Sequence, residues 1–149
     1  MSALPIYVEA QMLIRKPIQE VFEAFIDPEI TTQFWFTKST GKLEEGKTIT
    51  WEWEIYGVKN NVTVLEIVPN HLIKTEWGDP SSKVDYEFKE MEKGTFVVIK
   101  SYGFTQTGED LLKTINDNTG GFTTVLDGCK AYLEHGINLR LIEDKFPQK

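Results

Sequence analysis

Hydrophobic and polar residues alternate near the start of the chain. Between residues 6 and 15 every second side chain is apolar, and Glu9 and Gln11 lie between them. A period of two places the apolar side chains on one face of an extended segment. The pattern therefore predicts a half-buried β-strand over residues 6–15.

The apolar spacing then changes to that of a helix. Pro17 suits a first helical position, where its missing N–H costs nothing, and the pattern predicts an amphipathic helix over residues 17–26. A residue before proline avoids the α conformation, so Asp27 ends this helix. A second short helix is predicted over residues 28–35.

The period of two returns between residues 40 and 105, where turn-forming residues interrupt it at short intervals. Strands are predicted over residues 48–56, 62–68, 72–77, 83–90 and 95–104, preceded by a weaker one at 40–43. Links this short imply antiparallel pairing, because parallel strands need long crossovers. The first strand can join this meander, which gives about seven strands.

The last strong pattern is helical. A short helix is predicted over residues 108–117, a break at 118–121, and an amphipathic helix over 122–135 that ends at Gly136. Residues 137–146 fit either a strand or a helix. The chain is thus predicted to be one α+β domain over residues 1–149, with helices gathered on one face of an antiparallel sheet.

The apolar face of the predicted sheet carries bulky aromatic residues. Side chains this large and flat hold a sheet and a helix apart, whereas close contact usually uses small and branched ones. The pattern therefore predicts a cavity between them, and the alternative is ordinary core packing. The predicted ligand-binding residues are Trp51, Trp53, Trp77, Tyr86 and Phe88 on the sheet, opposite Phe122, Leu126, Cys129 and Leu133 on the helix.

Composition narrows the functional classes. The 149 residues carry a net charge of −7, which disfavours binding to nucleic acid or to an anionic membrane. No apolar run approaches the roughly 20 residues of a membrane span, and the first residues do not resemble a signal peptide. A single cysteine, Cys129, excludes an intrachain disulfide and fits a cytoplasmic protein.

The sequence offers no strong catalytic or metal-binding motif, so we expect no cofactor and no metal. It lacks paired histidine or cysteine spacings, a nucleophile elbow and a phosphate loop. His71, Tyr86 and Glu66 are the candidate acids or bases. Glu66 is included because the alternation of apolar and polar residues is interrupted at Val64 and Leu65, where a bulge would turn Glu66 toward the cavity.

Several short motifs, in this order, resemble the SRPBCC (START-like, helix-grip) superfamily. Within it, the chain is similar to the family named for homologues of the activator of the heat-shock-protein-90 ATPase. The matching stretches are residues 14–17 and 21–25, Asp27-Pro28 leading to Phe34-Trp35, residues 64–69 and 75–77, Gly94-Thr95, and residues 121–126 and 131–136.

The resemblance implies a curved antiparallel sheet that grips a long C-terminal helix, with a hydrophobic cavity between them. Relatives in the superfamily bind lipids, sterols, plant hormones, polyketides or flavonoids, and a few act as cyclases or ring-hydroxylase components. The eukaryotic co-chaperone resembles this chain in its C-terminal domain.

Three functions follow as hypotheses. The first is an intracellular binder of an apolar, aromatic or lipid-like small molecule, and the sequence favours it. The second is an interaction module that touches a chaperone, which the family resemblance motivates. The third is a cyclase or hydrolase that uses Glu66, His71 or Tyr86 in the same cavity. The protein is expected to be a monomer or a weak dimer.

Overall fold

A computed structural model describes residues 6–78 and 80–148 of the protein. Its elements follow one another in the order β1 (Tyr7–Ile14), α1 (Ile18–Ile26), α2 (Pro28–Thr31), β2 (Lys38–Ser39), β3 (Thr48–Trp53), β4 (Val58–Val68), β5 (Leu72–Gly78), β6 (Ser81–Met91), β7 (Gly94–Tyr102), α3 (Gly108–His135) and α4 (Leu141–Lys145).

The strands form one antiparallel sheet of seven, in the order β1-β7-β6-β5-β4-β3-β2. Consecutive strands from β2 to β7 are neighbours, as their short links require, and β1 adds to the free edge of β7. Buried and half-exposed residues alternate along β7, so the sheet has one covered face. The α+β helix-grip fold, with its long C-terminal helix and two short helices after β1, is confirmed.

Helices α1 and α3 cover the concave face of the sheet. Phe22 and Phe25 of α1 contact Phe88 of β6, with ring centroids 5.1 and 5.7 Å apart. The buried face of α3, which includes Leu126 and Cys129, packs along β1. Burial of these apolar side chains is the main source of stability, at about 25 cal/mol per Å² removed from water.

The predicted break at residues 118–121 is wrong, because α3 runs without interruption from Gly108 to His135. Helix formation is cooperative, and each further residue adds a hydrogen bond once a turn exists. Threonine hydroxyls in this region donate to carbonyls four residues back, as Thr119 does to Ile115 and Thr124 to Gly120. We infer that packing of the second half of α3 outweighs the cost of Gly120 and Gly121 to helix stability, about 1 kcal/mol each.

Other boundaries also differ from the sequence pattern, and the helix predicted over residues 28–35 ends at Thr31. The strand predicted over 48–56 stops at Trp53, because Glu54–Tyr56 forms a 3₁₀ turn that ends at the left-handed Gly57. As a result β4 begins at Val58 instead of residue 62. The edge strand is Lys38–Ser39 instead of residues 40–43, and the ambiguous tail contains the short helix α4.

Candidate functional site

A cavity of about 410 Å³ lies between one end of the sheet and the middle of α3. This volume falls in the range of small-molecule sites. Most of its wall is aromatic or aliphatic. The lining residues are Trp35, Trp53, Tyr56, Val58, Asn60, Trp77, Asn118, Gly121, Phe122, Val125, Ile142 and Phe146.

The sheet contributes one wall through strands β3, β4 and β5. Trp53 of β3 is paired with Val58 of β4, and Asn60 lies two residues further on the same face. The rings of Trp53 and Trp77 are nearly parallel, with centroids 6.4 Å apart. Two indoles in this arrangement present flat surfaces of the kind that aromatic ligands stack against.

Trp35 lines the cavity and contacts aromatic residues of the sheet and of α3. Its ring centroid lies 6.0 Å from that of Trp77 and 6.2 Å from that of Phe122. On its other side it contacts Trp51 at 4.8 Å. The segment after α2 therefore places one large indole against the sheet and α3 at the same time.

Helix α3 supplies the opposite wall. Asn118, Gly121, Phe122 and Val125 are spaced three or four residues apart, so they share one face of the helix. A Cβ atom added to Gly121 would meet no atom within 4 Å. The missing side chain at this position leaves part of the cavity open.

The C-terminal segment contributes a further wall of the cavity. Ile142 of α4 and Phe146 just after it contribute apolar side chains to the wall. The hydroxyl of Tyr56 lies 2.5 Å from the carbonyl oxygen of Phe146 and 3.4 Å from that of Ile142. These contacts hold the segment against the turn that follows β3.

Three of the predicted ligand-binding residues, Trp53, Trp77 and Phe122, line this cavity. Trp51 is fully buried and stacks on Phe36, with centroids 4.4 Å apart. The other residues outside the lining are the buried Tyr86, Phe88, Leu126 and Cys129 and the half-buried Leu133. Strand parity identifies the face on which a side chain lies, but not whether α1 or α3 covers it.

The sequence reasoning missed most of the remaining wall. Val58 and Asn60 fell in a predicted turn, Asn118 and Gly121 fell in a predicted helix break, and Trp35 fell at the end of the predicted second helix. The sequence pattern did not indicate that Tyr56, Ile142 and Phe146 line a cavity, because their position there depends on where the C-terminal segment packs. Val125 lies within the amphipathic helix predicted over residues 122–135, but it was not among the predicted ligand-binding residues.

None of the three candidate acids and bases belongs to the lining of this cavity. The slip in β4 is a real irregularity between Val64 and Glu66, but Glu66 is exposed, so its predicted turn toward the cavity is wrong. His71 is exposed as well. Tyr86 is buried in the core, where desolvation raises the pKa of its phenol far above its ordinary range.

Cys129 is also unsuited to chemistry. Burial, reinforced by the nearby Glu134 carboxylate, raises the pKa of its thiol well above its ordinary value, so the reactive thiolate is disfavoured. Over residues 6–78 and 80–148, no group of three acidic, histidine or cysteine side chains is arranged to hold a metal ion. None of the helices in those ranges has the length and hydrophobicity of a membrane span.

Comparison with solved structures identifies close relatives of this fold. A protein of Staphylococcus saprophyticus, SSP2350, is 34% identical, with a TM-score of 0.81, and the alignment covers 91% of this chain and 96% of that one. No curated protein sequence matches the chain.

Two more distant structures share the fold. DynU16, from the dynemicin biosynthetic locus, is 17% identical with a TM-score of 0.80, and the match covers 89% of this chain and 48% of that one. The Aha1 dimer from Colwellia psychrerythraea is 15% identical with a TM-score of 0.74, over 88% of this chain and 98% of that one.

The sequence profile of one family matches residues 15–134, which is most of the chain and includes both walls formed by the sheet and α3. Its description is Activator of Hsp90 ATPase homolog 1-like protein. The protein therefore belongs to the Activator of Hsp90 ATPase homolog 1-like family.

Proposed function

We propose that this protein binds an apolar, aromatic small molecule in the cavity between the sheet and α3, in the cytoplasm. The observation that carries the proposal is the cavity of about 410 Å³ with Trp35, Trp53 and Trp77 on its wall. Burial of apolar ligand surface would supply most of the affinity, at about 25 cal/mol per Å² before the costs of ordering.

The chemistry of the wall supports binding over catalysis. Asn60 and Asn118 supply amides that can orient a ligand, and the phenol of Tyr56 is engaged by the C-terminal segment. An acid or base at the reacting atoms is what a hydrolase or cyclase requires. Glu66 and His71 are exposed and are not among the lining residues, which supports the proposal of binding.

The family description suggests a second role, in contact with a chaperone. That role would not need the cavity, so the two can be separated. The measurement is the ATPase rate of the host's own heat-shock protein 90 with saturating amounts of this protein. An unchanged rate counts against the chaperone role and leaves the binding role unaffected.

Ligand binding is tested by adding biphenyl and a panel of planar aromatics and fatty acids to the protein. The readout is the change in the NMR signals of the four indole N–H groups. We expect a bound ligand to shift the signals of Trp35, Trp53 and Trp77 more than that of Trp51, which lies outside the lining. If no compound of the panel shifts the three cavity indoles, the proposal is wrong.

A variant that fills the cavity gives a second test of ligand binding. Gly121→Leu places a side chain in the open space on this face of α3, so we expect biphenyl binding to be lost. Leucine is also a better helix former than glycine by about 0.8–1 kcal/mol, so the fold is retained.

Gly120→Ala is the control for this variant. It makes a similar change in helix propensity one residue away and outside the lining, where the added methyl group meets only the flexible end of Lys145. We expect it to bind biphenyl like the unmodified protein. Equal affinity in Gly121→Leu would contradict the assignment of this cavity.

A further inference from the structure

A second cavity, of about 240 Å³, lies beside the first and shares Trp77, Asn118 and Phe122 with it. The rings of Trp77 and Phe122 meet edge to face, with centroids 6.4 Å apart and an interplanar angle of 89°. Because these side chains line both spaces, the two cavities are adjacent.

The two cavities differ in chemistry. The first is bounded mostly by aromatic and aliphatic groups, whereas about half of the residues that line the second are polar and come from β6, β7, α3 and the loop between β7 and α3. These polar residues are Ser82, Ser101, Gln106, Thr114, Asp117 and Asn118. Among the described residues that line it there is no lysine, arginine or histidine.

Ser101 is the most informative residue of this wall. Its side chain is 1% exposed, and its Oγ atom has no hydrogen-bond partner within the described part of the chain. Its neighbour across β6, Thr75, has a satisfied hydroxyl that donates to the carbonyl of Val84 at 3.0 Å. Leaving a buried hydroxyl without a partner is costly, so such groups require an explanation.

The indole N–H of Trp77 and the hydroxyl of Tyr86 are two further buried polar groups that make no hydrogen bond of good geometry within the described residues, and they lie close to each other. Tyr86 lines neither cavity, so the Trp77 N–H and the Tyr86 hydroxyl can be explained by each other. Ser101 is therefore the unpartnered group that points to a ligand in the second cavity.

We propose that the second cavity is a polar subsite of the same binding site, and that the ligand is an elongated aromatic molecule with an uncharged hydroxyl group at one end. The aromatic body lies against Trp53 and Trp77, and its hydroxyl group bonds to Ser101 Oγ. This inference rests on the proposed function, since it names the class of ligand for that site.

The lining favours a hydroxyl group over a carboxylate. Asp117 is 63% exposed and paired with Lys113 at 2.8 Å, so its own charge is screened by water. An anionic ligand end would find no cation among the described lining residues to compensate its loss of water. A hydroxyl group can donate to Ser101 or Asp117 and can accept from the Asn118 amide.

The test compares biphenyl, 4-hydroxybiphenyl and biphenyl-4-carboxylate, with affinities from tryptophan fluorescence. We expect the hydroxyl compound to bind about five- to tenfold more tightly than biphenyl, the factor expected for one added hydrogen bond. The carboxylate should bind more weakly than biphenyl. In Ser101→Ala the hydroxyl preference should disappear, while the affinity for biphenyl is unchanged.

Thr95→Val is the matched control, because it removes another buried hydroxyl from the same strand. Thr95 Oγ1 donates to the carbonyl of Lys16 at 2.9 Å and lies outside both linings. This variant should keep the hydroxyl preference of the unmodified protein. Ser101→Ala removes an unpartnered group, so it should fold at least as well as the unmodified protein.

The outcomes separate the two proposals. Binding of biphenyl without a hydroxyl preference, or a preference that survives in Ser101→Ala, overturns the polar subsite and leaves the proposed function standing. Failure of all three compounds to shift the cavity indoles overturns the proposed function and the subsite with it. Tighter binding of the carboxylate than of the hydroxyl compound overturns the ligand class.

Discussion

At the scale of single residues, Gly94 shows how a missing side chain controls a junction. It opens β7 with a φ of +149°, beside the end of β1. A Cβ atom here would overlap the carbonyl oxygen of Ile14 and lie 2.7 Å from the Cα of Arg15. The sequence predicted a turn at this glycine, but not the close approach of β1, because that contact comes from a distant part of the chain.

Gly94→Ala should therefore lower the free energy of unfolding by about 2–3 kcal/mol, since both backbone strain and overlap must be relieved. Urea unfolding measures the change. Gly46→Ala is the control, because Gly46 also has a positive φ, +83°, but an added Cβ meets no atom within 4 Å. Its cost should be about 1–2 kcal/mol, that of the left-handed backbone alone. An equal loss of unfolding free energy in the two variants would show that the overlap at Gly94 adds no cost.

At the scale of elements, a network of hydrogen bonds ties the end of α3 to the end of β1. The Glu134 carboxylate accepts the backbone N–H of Arg15 at 2.8 Å and the Lys130 ammonium at 2.6 Å. Lys130 also donates to the carbonyl of Leu13. Desolvation acts to raise the pKa of Glu134, but these hydrogen bonds outweigh it and hold the pKa below its ordinary value.

A depressed pKa makes this tie dependent on pH. The carboxylate stabilises the fold above the unfolded pKa of glutamate, about 4.3, and the contribution is lost as the pH falls through the lower pKa of the folded state. Glu134→Gln should lower the free energy of unfolding by about 1–2 kcal/mol at pH 7. Urea unfolding should show this difference shrinking below about pH 4.

Glu23→Gln serves as the control for Glu134→Gln. Glu23 is 45% exposed and lies 3.5 Å from the ammonium of Lys42, so its ion pair is screened by water. Its removal should change the free energy of unfolding by no more than about 0.5 kcal/mol at either pH. A pH-independent loss in Glu134→Gln would contradict the role of the charge.

The elements themselves were largely predictable from the sequence, because each depends on local periodicity. The helix break predicted at residues 118–121 was wrong for a physical reason. Asn118, Thr119 and the two following glycines are locally poor helix formers, and the helix passes through them because both halves of α3 are otherwise favourable. The same failure concealed Asn118 and Gly121 as cavity residues.

At the scale of the whole molecule, the cavity depends on parts that are far apart in the chain. Trp35, Trp77, Phe122 and Phe146 come from four separate regions and meet at one site. Parity and helical spacing identified Trp77 and Phe122. They did not identify Phe146, because nothing local states that the tail returns to the turn after β3.

Tyr56→Phe should weaken the attachment of the C-terminal segment to the turn after β3 without unfolding the protein. It removes the hydroxyl that bonds to the carbonyls of Ile142 and Phe146, so the C-terminal segment should open more often. We expect biphenyl to dissociate several-fold faster in stopped-flow fluorescence, and the amides of residues 141–146 to exchange hydrogen faster.

Tyr102→Phe is the control for this effect. It removes a hydroxyl that bonds to Asp85 at 3.1 Å, outside the cavity lining. Ligand dissociation should be unchanged in this variant. If Tyr56→Phe also leaves the dissociation rate unchanged, the C-terminal segment does not control access to the cavity.

The pairing of β1 with β7 has a consequence for how the chain folds. Tyr7 pairs with Tyr102 and Ile14 with Thr95, so the first strand acquires its partner only after two thirds of the sequence has been made. Contacts this distant in sequence slow folding, because a long loop must close before they form. During synthesis β1 has no neighbour, and its apolar side is a place where a chaperone or another nascent chain can attach.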